Sequence, residues 1–228
     1  MRRTKGVLWG ILGLALTLVI LLTAVEIASF DLSGHMKLFD KYNISQETGL
    51  DQTSLREIMA DILRYFKDDR VLLDTKIPGQ NTPAFGERAV IHMVDVKDLF
   101  VGGRTIRNIS LLIIPLLILY LRNDPLWIKG LAKTLLFAAG GSLMAIVLLA
   151  ILMQLDFYQY FTYFHLLFFS NDLWILDPKT ELMIKMLPEG FFMDTAYEII
   201  YYFLAGNLLT GFLGGCLFLK HNRKEGHQ

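Results

Sequence analysis

Four long apolar stretches dominate this chain, and a lipid bilayer is the solvent that suits them. A crossing helix needs roughly 20 mostly apolar residues to traverse about 30 Å of hydrocarbon. Residues 7–28, 106–121, 134–155 and 196–219 come close to that length. The second is short and holds Pro115, which predicts a tilt or a kink. Of 228 residues, 54% are apolar and the mean hydropathy is +0.43, above the roughly 45–50% apolar share of soluble domains. The expected fold class is therefore an all-α membrane protein. Its core is a four-transmembrane-helix bundle. Loops 1 and 3, residues 29–105 and 156–195, form a mainly helical extracytoplasmic domain, and residues 1–228 make a single membrane domain.

Basic residues in short segments set the orientation of such a bundle. Arg2, Arg3 and Lys5 precede the first span. Arg122, Lys129 and Lys133 occupy the short connection after the second, and Lys220, Arg223 and Lys224 follow the fourth. All three segments are expected on the cytoplasmic side. The connection at 156–195 carries Asp156, Asp172, Asp177, Glu181, Glu189 and Asp194 against Lys179 and Lys185, so it is expected outside. The loop at 29–105 then lies outside too. The first span resembles a signal peptide in its basic start, but it is longer than a signal core. Glu26 also stands where a small-residue cleavage site would be needed, so a retained anchor is expected.

Within the spans, Gly211 and Gly215 form a GxxxG pair and Gly140 adjoins Gly141, which suits close helix packing inside the chain. Tyr197, Tyr201 and Tyr202 mark an interface at the start of the fourth span. Glu26 is expected either to face the bundle or to snorkel to the interface. The single cysteine, Cys216, excludes a disulfide framework and reads as a small buried hydrophobe. Lysine plus arginine equals aspartate plus glutamate at 22 each, so charge gives no sign of a nucleic-acid partner.

The long first loop is more than a tether. Ser54 and Glu57 read as a capping box that opens a helix over 54–67. Leu55, Ile58, Met59, Ile62, Leu63 and Phe66 recur on one face of it, expected to pack on the rest of the outer domain. A short strand-like run, VLLD, follows, and then turn residues Pro78, Gly79, Asn81 and Pro83. Residues 87–100 read as a helix with Arg88, His92 and Asp95 on one face. A carboxylate one turn from a histidine can orient its ring, although a solvated charged face has the same pattern. In the third loop, His165 stands in a crowd of aromatic side chains suited to a membrane interface. Burial there would hold the imidazole neutral, as a general base requires. Asn171, Asp172, Trp174, Asp177 and Pro178 could form a turn, a cap or part of a site.

No serine-nucleophile elbow, H-E-x-x-H, Walker loop or C-x-x-C is present. His92 and His165 with Asp95, Asp172 and Glu189 could in principle ligate a metal, but no pair has zinc-like spacing. Histidines without a serine or cysteine partner fit acid–base work or nucleophilic catalysis by histidine itself. His35 has no patterned partner, and His221 and His227 read as solvated tail residues.

Two stretches carry a resemblance: FGERAVIHMVDVKDLF, residues 85–100, and FHLLFFSNDLWILDP with LPEGFF, within 164–192. With the four-span layout they resemble the bacterial lipoprotein intramolecular transacylase family across essentially the whole chain. The resemblance implies an acyltransferase of the bacterial plasma membrane, with both termini cytoplasmic and the active site outward. Its substrate would be a diacylated lipoprotein within membrane lipid, with no cofactor and no metal. An acyl chain would pass from the glycerol sn-2 ester to the amine of the N-terminal cysteine, leaving a lyso-form lipoprotein. His92 and His165 fall on the family's two histidines. Glu87, Arg88, Asp95, Asn171, Asp172 and Glu189 are expected to support them, with Arg88 and Asn171 as candidate oxyanion donors. The rival readings are a metal-dependent membrane hydrolase using the same histidines, and a non-enzymatic scaffold or sensor. Oligomeric state is left open.

Overall fold

The computed structural model describes residues 2–225. The side chains of Arg2, Arg3 and Lys224, and all of His227, on which the charge reading partly rests, lie outside the described residues. The described residues form helices α1 (Arg2–Ser29), α2 (Leu32–Lys41), α3 (Ile44–Thr48), α4 (Gln52–Phe66), α5 (Glu87–Leu121), α6 (Trp127–Leu155), α7 (Phe157–Phe168), α8 (Leu182–Met186) and α9 (Glu189–Glu225). Four of these are long and apolar enough to cross a membrane: α1, α5, α6 and α9. The chain is an all-helical, multi-pass membrane protein. Its backbone divides into two compact units.

The first unit comprises the described residues of Met1–Ile27, Arg104–Ile151 and Glu198–Gln228. Its outward side chains are apolar: Leu112, Leu116, Phe137, Met144 and Phe212 are all more than 60% exposed. In water that surface would be a severe association hazard, whereas hydrocarbon solvates it without cost. Inside, glycines set the helix distances. A Cβ on Gly214 would lie 2.9 Å from that of Leu135, and one on Gly206 would lie 2.5 Å from Ile20. The expected small-residue pairs contribute less. Gly140, Gly141 and Gly215 face open space, and Gly211 makes an ordinary contact with Ala139. The packing register is thus offset by one residue from the GxxxG reading. Cys216 is exposed on α9 rather than buried, on a face it shares with the exposed Phe212, Leu213 and Leu219. Glu26 faces the bundle, with each of its carboxylate oxygens 3.8 Å from an arginine nitrogen, on Arg104 and Arg107.

The second unit comprises Ala28–Gly103 and Leu152–Tyr197. Its core joins Phe39 of α2, Ile44 of α3, Leu55, Ile58 and Ile62 of α4, Ala89 of α5 and Met186 of α8. Each fully buried aliphatic or aromatic side chain of this kind stabilises by about 1.5–3 kcal/mol relative to exposure. The apolar face of α4 therefore packs, as expected from its period.

Three local readings need correction. α4 begins at Gln52, not Ser54. Asp51 is its cap, its Oδ1 accepting from the amides of Thr53 and Ser54 at 2.8 and 2.9 Å. A carboxylate satisfies those first-turn donors and complements the helix dipole, so it outcompetes a serine three residues later. Asp51→Ala is expected to lower the melting temperature by about 2–4 °C, measured by thermal unfolding of the purified chain. The VLLD run is no strand: Val71 and Leu72 are exposed, and the segment's pairing is one isolated bridge, Lys76 to Pro83. Finally, residues 87–100 and the second span are one continuous helix, α5, running through Gly102, Gly103 and Pro115.

Candidate functional site

The third loop opens as a helix because Asp156 caps it. Its Oδ1 accepts from the Gln159 amide at 2.9 Å, which ends α6 and starts α7. His165 is buried on the inner side of α7, while its neighbours Leu166, Leu167 and Phe168 are exposed. Its Nδ1 lies 2.7 Å from the Phe161 carbonyl oxygen, one turn back. A carbonyl only accepts, so the ring hydrogen sits on Nδ1 and the Nε2 lone pair is left for chemistry. Four aromatic rings enclose the imidazole: Phe161 at 4.3 Å, Trp174 at 4.7 Å, Phe169 at 5.5 Å and Phe164 at 5.6 Å between centroids. Burial among them pushes the His165 pKa below its ordinary 6.5, and the Phe161 hydrogen bond only partly opposes this.

His92 lies on the second turn of α5 and is also buried. Its ring centroid is 6.0 Å from that of His165, with the planes tilted by 35°. Phe169 stands edge-on to His92 at 5.1 Å and thus touches both imidazoles. His92 Nδ1 is buried and makes no hydrogen bond with the described residues. Two spanning helices separate these histidines in the chain, yet both belong to the second unit.

A polar frame holds the loop that carries Trp174. Asn171 is its centre. Its Oδ1 accepts from the Leu173 amide at 3.1 Å, closing a tight turn. Its Nδ2 donates to Asp95 Oδ2 at 2.9 Å, and its carbonyl accepts from Trp174 Nε1 at 3.2 Å. Arg88 reaches the same loop. Its Nε donates to the Ile175 carbonyl at 3.1 Å and its Nη2 to the Asp172 carbonyl, with the Asp172 carboxylate 3.1 Å away. That ion pair is exposed, so the two backbone carbonyls matter more than the charge. Gly86 precedes α5 and donates its amide to Glu181 Oε2 at 3.3 Å, in a space that a Cβ would fill.

The expected supporting residues therefore divide. Arg88, Asp95, Asn171 and Asp172 converge, but on the loop rather than directly on an imidazole. Asn171 Nδ2 and the Nε and Nη2 of Arg88 each hold a partner there. Glu87 and Glu189 are exposed at the starts of α5 and α9. Neither makes a hydrogen bond or ion pair with either histidine among the described residues. His35 lies elsewhere, packed 5.1 Å from Phe191, with its pKa pushed down to about 4 by burial, which Asp31 and the Ala28 carbonyl only partly offset. His221 lies on α9, half-buried.

Sequence reasoning missed Phe169 and the stacking of Trp174. A faint signal existed: Phe161 and Phe169 stand one turn either side of His165. Among the described residues no group of three or more histidine, cysteine, aspartate or glutamate side chains could hold a metal ion, so the donor set for a metal-dependent hydrolase is missing there.

The family model described as lipoprotein intramolecular transacylase Lit matches residues 10–192. A solved structure of the membrane integral lipoprotein intramolecular transacylase Lit from Bacillus cereus superposes with a TM-score of 0.78 at 21% identity, covering 98% of this chain and 100% of that one. Two structures of variants of the same Bacillus cereus protein also match at 22% identity. One has a histidine replaced by arginine, with a TM-score of 0.74 and coverage of 97% and 95%. The other has a histidine replaced by alanine, with a TM-score of 0.75 and coverage of 97% and 96%. No curated protein matches the chain.

Proposed function

Because this chain belongs to the lipoprotein intramolecular transacylase family, we propose that His92 and His165 carry an O-to-N acyl transfer on the N-terminal cysteine of a diacylglyceryl lipoprotein. The acyl chain leaves the sn-2 glycerol oxygen and joins the α-amino nitrogen of the same molecule. The carrying observation is the pair itself: two buried imidazoles 6.0 Å apart, one with its tautomer fixed by a backbone carbonyl.

The chemistry assigns each ring a task. The α-amino group has a pKa of about 7.7–8.0, so roughly a tenth is unprotonated at pH 7. That fraction attacks the ester carbonyl. His165 Nε2 takes the proton from the nitrogen as the new C–N bond forms. The C–O bond to glycerol breaks, and the proton held by His165 passes by way of His92 to the departing oxygen. The net proton moves from nitrogen to oxygen, and both imidazoles are restored. Holding amine and ester in one substrate supplies proximity. The aromatic wall keeps water from competing for the acyl group. No metal or cofactor enters the scheme.

Orientation follows from charge. Lys5, Arg122, Lys129, Lys133, Lys220 and Arg223 favour the cytoplasmic side for their segments. The histidine site then opens on the outer face, where the esters of anchored lipoproteins lie.

The pH dependence has a definite sign. A base must be neutral, and burial lowers the His165 pKa, so His165 is already neutral above pH 6.5. The rate is therefore expected to rise between about pH 6.5 and 8 with the free-amine fraction, with no inflection from His165 in that window. Single-turnover rates on a purified lipopeptide check this. A profile that falls as pH rises through 7 would require a protonated imidazole and exclude the assignment.

A further inference from the structure

In the first unit α1 and α6 lie side by side. Trp9 packs on Gly130, Gly13 on Thr134, and Thr17 Oγ1 is 3.2 Å from Ser142 Oγ. The pairs advance together along both helices, so these run parallel. Beside the seam is an open groove of about 660 Å³, within the roughly 300–1,000 Å³ of small-molecule sites. It runs from Gly6 to Thr17 on α1 and along α6 as far as Ala145. At 1.5 Å per residue these stretches are about 16 and 22 Å long, more than half of a hydrocarbon core about 30 Å thick.

Its ends differ in chemistry. The deep end reaches the Thr17–Ser142 hydroxyl pair. The shallow end carries Lys133, which is exposed and forms no ion pair with the described residues, whereas nearby Lys5 is neutralised by Asp124 at 2.6 Å. A Cβ on Gly10 or Gly141 would meet nothing within 4 Å. These glycines therefore leave room rather than bring helices together. We propose that the groove holds one acyl chain of an anionic phospholipid, whose phosphate is neutralised by Lys133. A neutral lipid would fill the same length but leave that cation uncompensated.

The full chain in mild detergent, titrated with phosphatidylglycerol or with phosphatidylcholine of matched chains, tests this. Phosphatidylglycerol is expected to raise the melting temperature of the wild type by about 5 °C at saturation, phosphatidylcholine by less, and native mass spectrometry should find one retained phosphatidylglycerol. Lys133→Gln should respond equally to both lipids. Gly10→Leu and Gly141→Leu fill the groove, so they should respond to neither while still converting lipopeptide. Lys133→Gln leaves the packing untouched, so it remains decisive if the leucine variants fail to fold. Equal responses of the wild type to both lipids overturn the proposal, as do leucine variants that respond like the wild type. A wild-type dimer that Gly141→Leu splits also overturns it, by giving the groove to a second copy of the chain.

Discussion

Replacing His165 by alanine is expected to lower the rate of acyl transfer by about 10²–10⁴-fold while the chain stays folded and membrane-inserted. The loss would come from removing the Nε2 lone pair, the one atom of this ring not committed to the Phe161 carbonyl. Truncation also opens a cavity among Phe161, Phe169 and Trp174, so activity alone does not separate chemistry from packing. Two further measurements do. His165→Gln restores bulk and polarity without a base and should be as inactive as alanine. Free imidazole can occupy the alanine cavity and should restore part of the rate. His92→Ala should be comparably slow, because the leaving oxygen then departs without a proton. If transfer runs instead through an acyl-imidazole, an acylated His165 will be visible in the intact mass of the wild type during turnover. Wild-type conversion by both alanine variants would end the histidine assignment.

Asn171→Ala is expected to slow transfer by about 10–100-fold, the effect of losing two hydrogen bonds of about 0.5–1.5 kcal/mol each. Asn171 touches neither imidazole in the contacts described. It ties Asp95 of α5 to the turn that carries Trp174, and Trp174 stacks on His165 at 4.7 Å. Its loss should therefore disorder the ring that holds the base. Asn171→Asp is the sharper variant. It keeps the acceptor for the Leu173 amide but loses the donor to Asp95 and sets two carboxylates together, so it should be no better than alanine. As a positioning residue, Asn171 should move the turnover rate more than the substrate concentration at half-maximal rate. Tryptophan fluorescence should change with it. Normal turnover in both variants would show that the turn has no bearing on His165.

The parts of this molecule set by bulk hydrophobicity could be read in advance. Apolar length alone marks the four crossing helices, and the period of Leu55, Ile58, Met59, Ile62 and Leu63 foretells the buried face of α4. Finer features depend on competition between neighbours. Asp51 wins the cap from Ser54 because a charge serves two amides. The third span ends at Leu155 as read, where Asp156 breaks the helix; that the aromatic run beyond it forms a second helix, α7, has no mark in composition. Arg88 and Asn171 look like oxyanion donors from their chemistry. Their partners, the carbonyls and carboxylate of a loop, are long-range and leave no local pattern. The meeting of His92 and His165 is of the same kind. Each segment hints at a reactive histidine, but only folding of the second unit brings them to 6.0 Å.

Intramolecular transfer leaves the substrate mass unchanged, so the most direct measurement is fragment mass spectrometry of a lipopeptide labelled in its sn-2 acyl chain. The purified chain is incubated with an equal mixture of labelled and unlabelled diacylglyceryl lipopeptide. The account predicts that the label moves to the cysteine amine, with one O-acyl chain remaining and no exchange between molecules. Release of the labelled chain as free acid, or an acylation pattern identical to the starting lipopeptide, would contradict it.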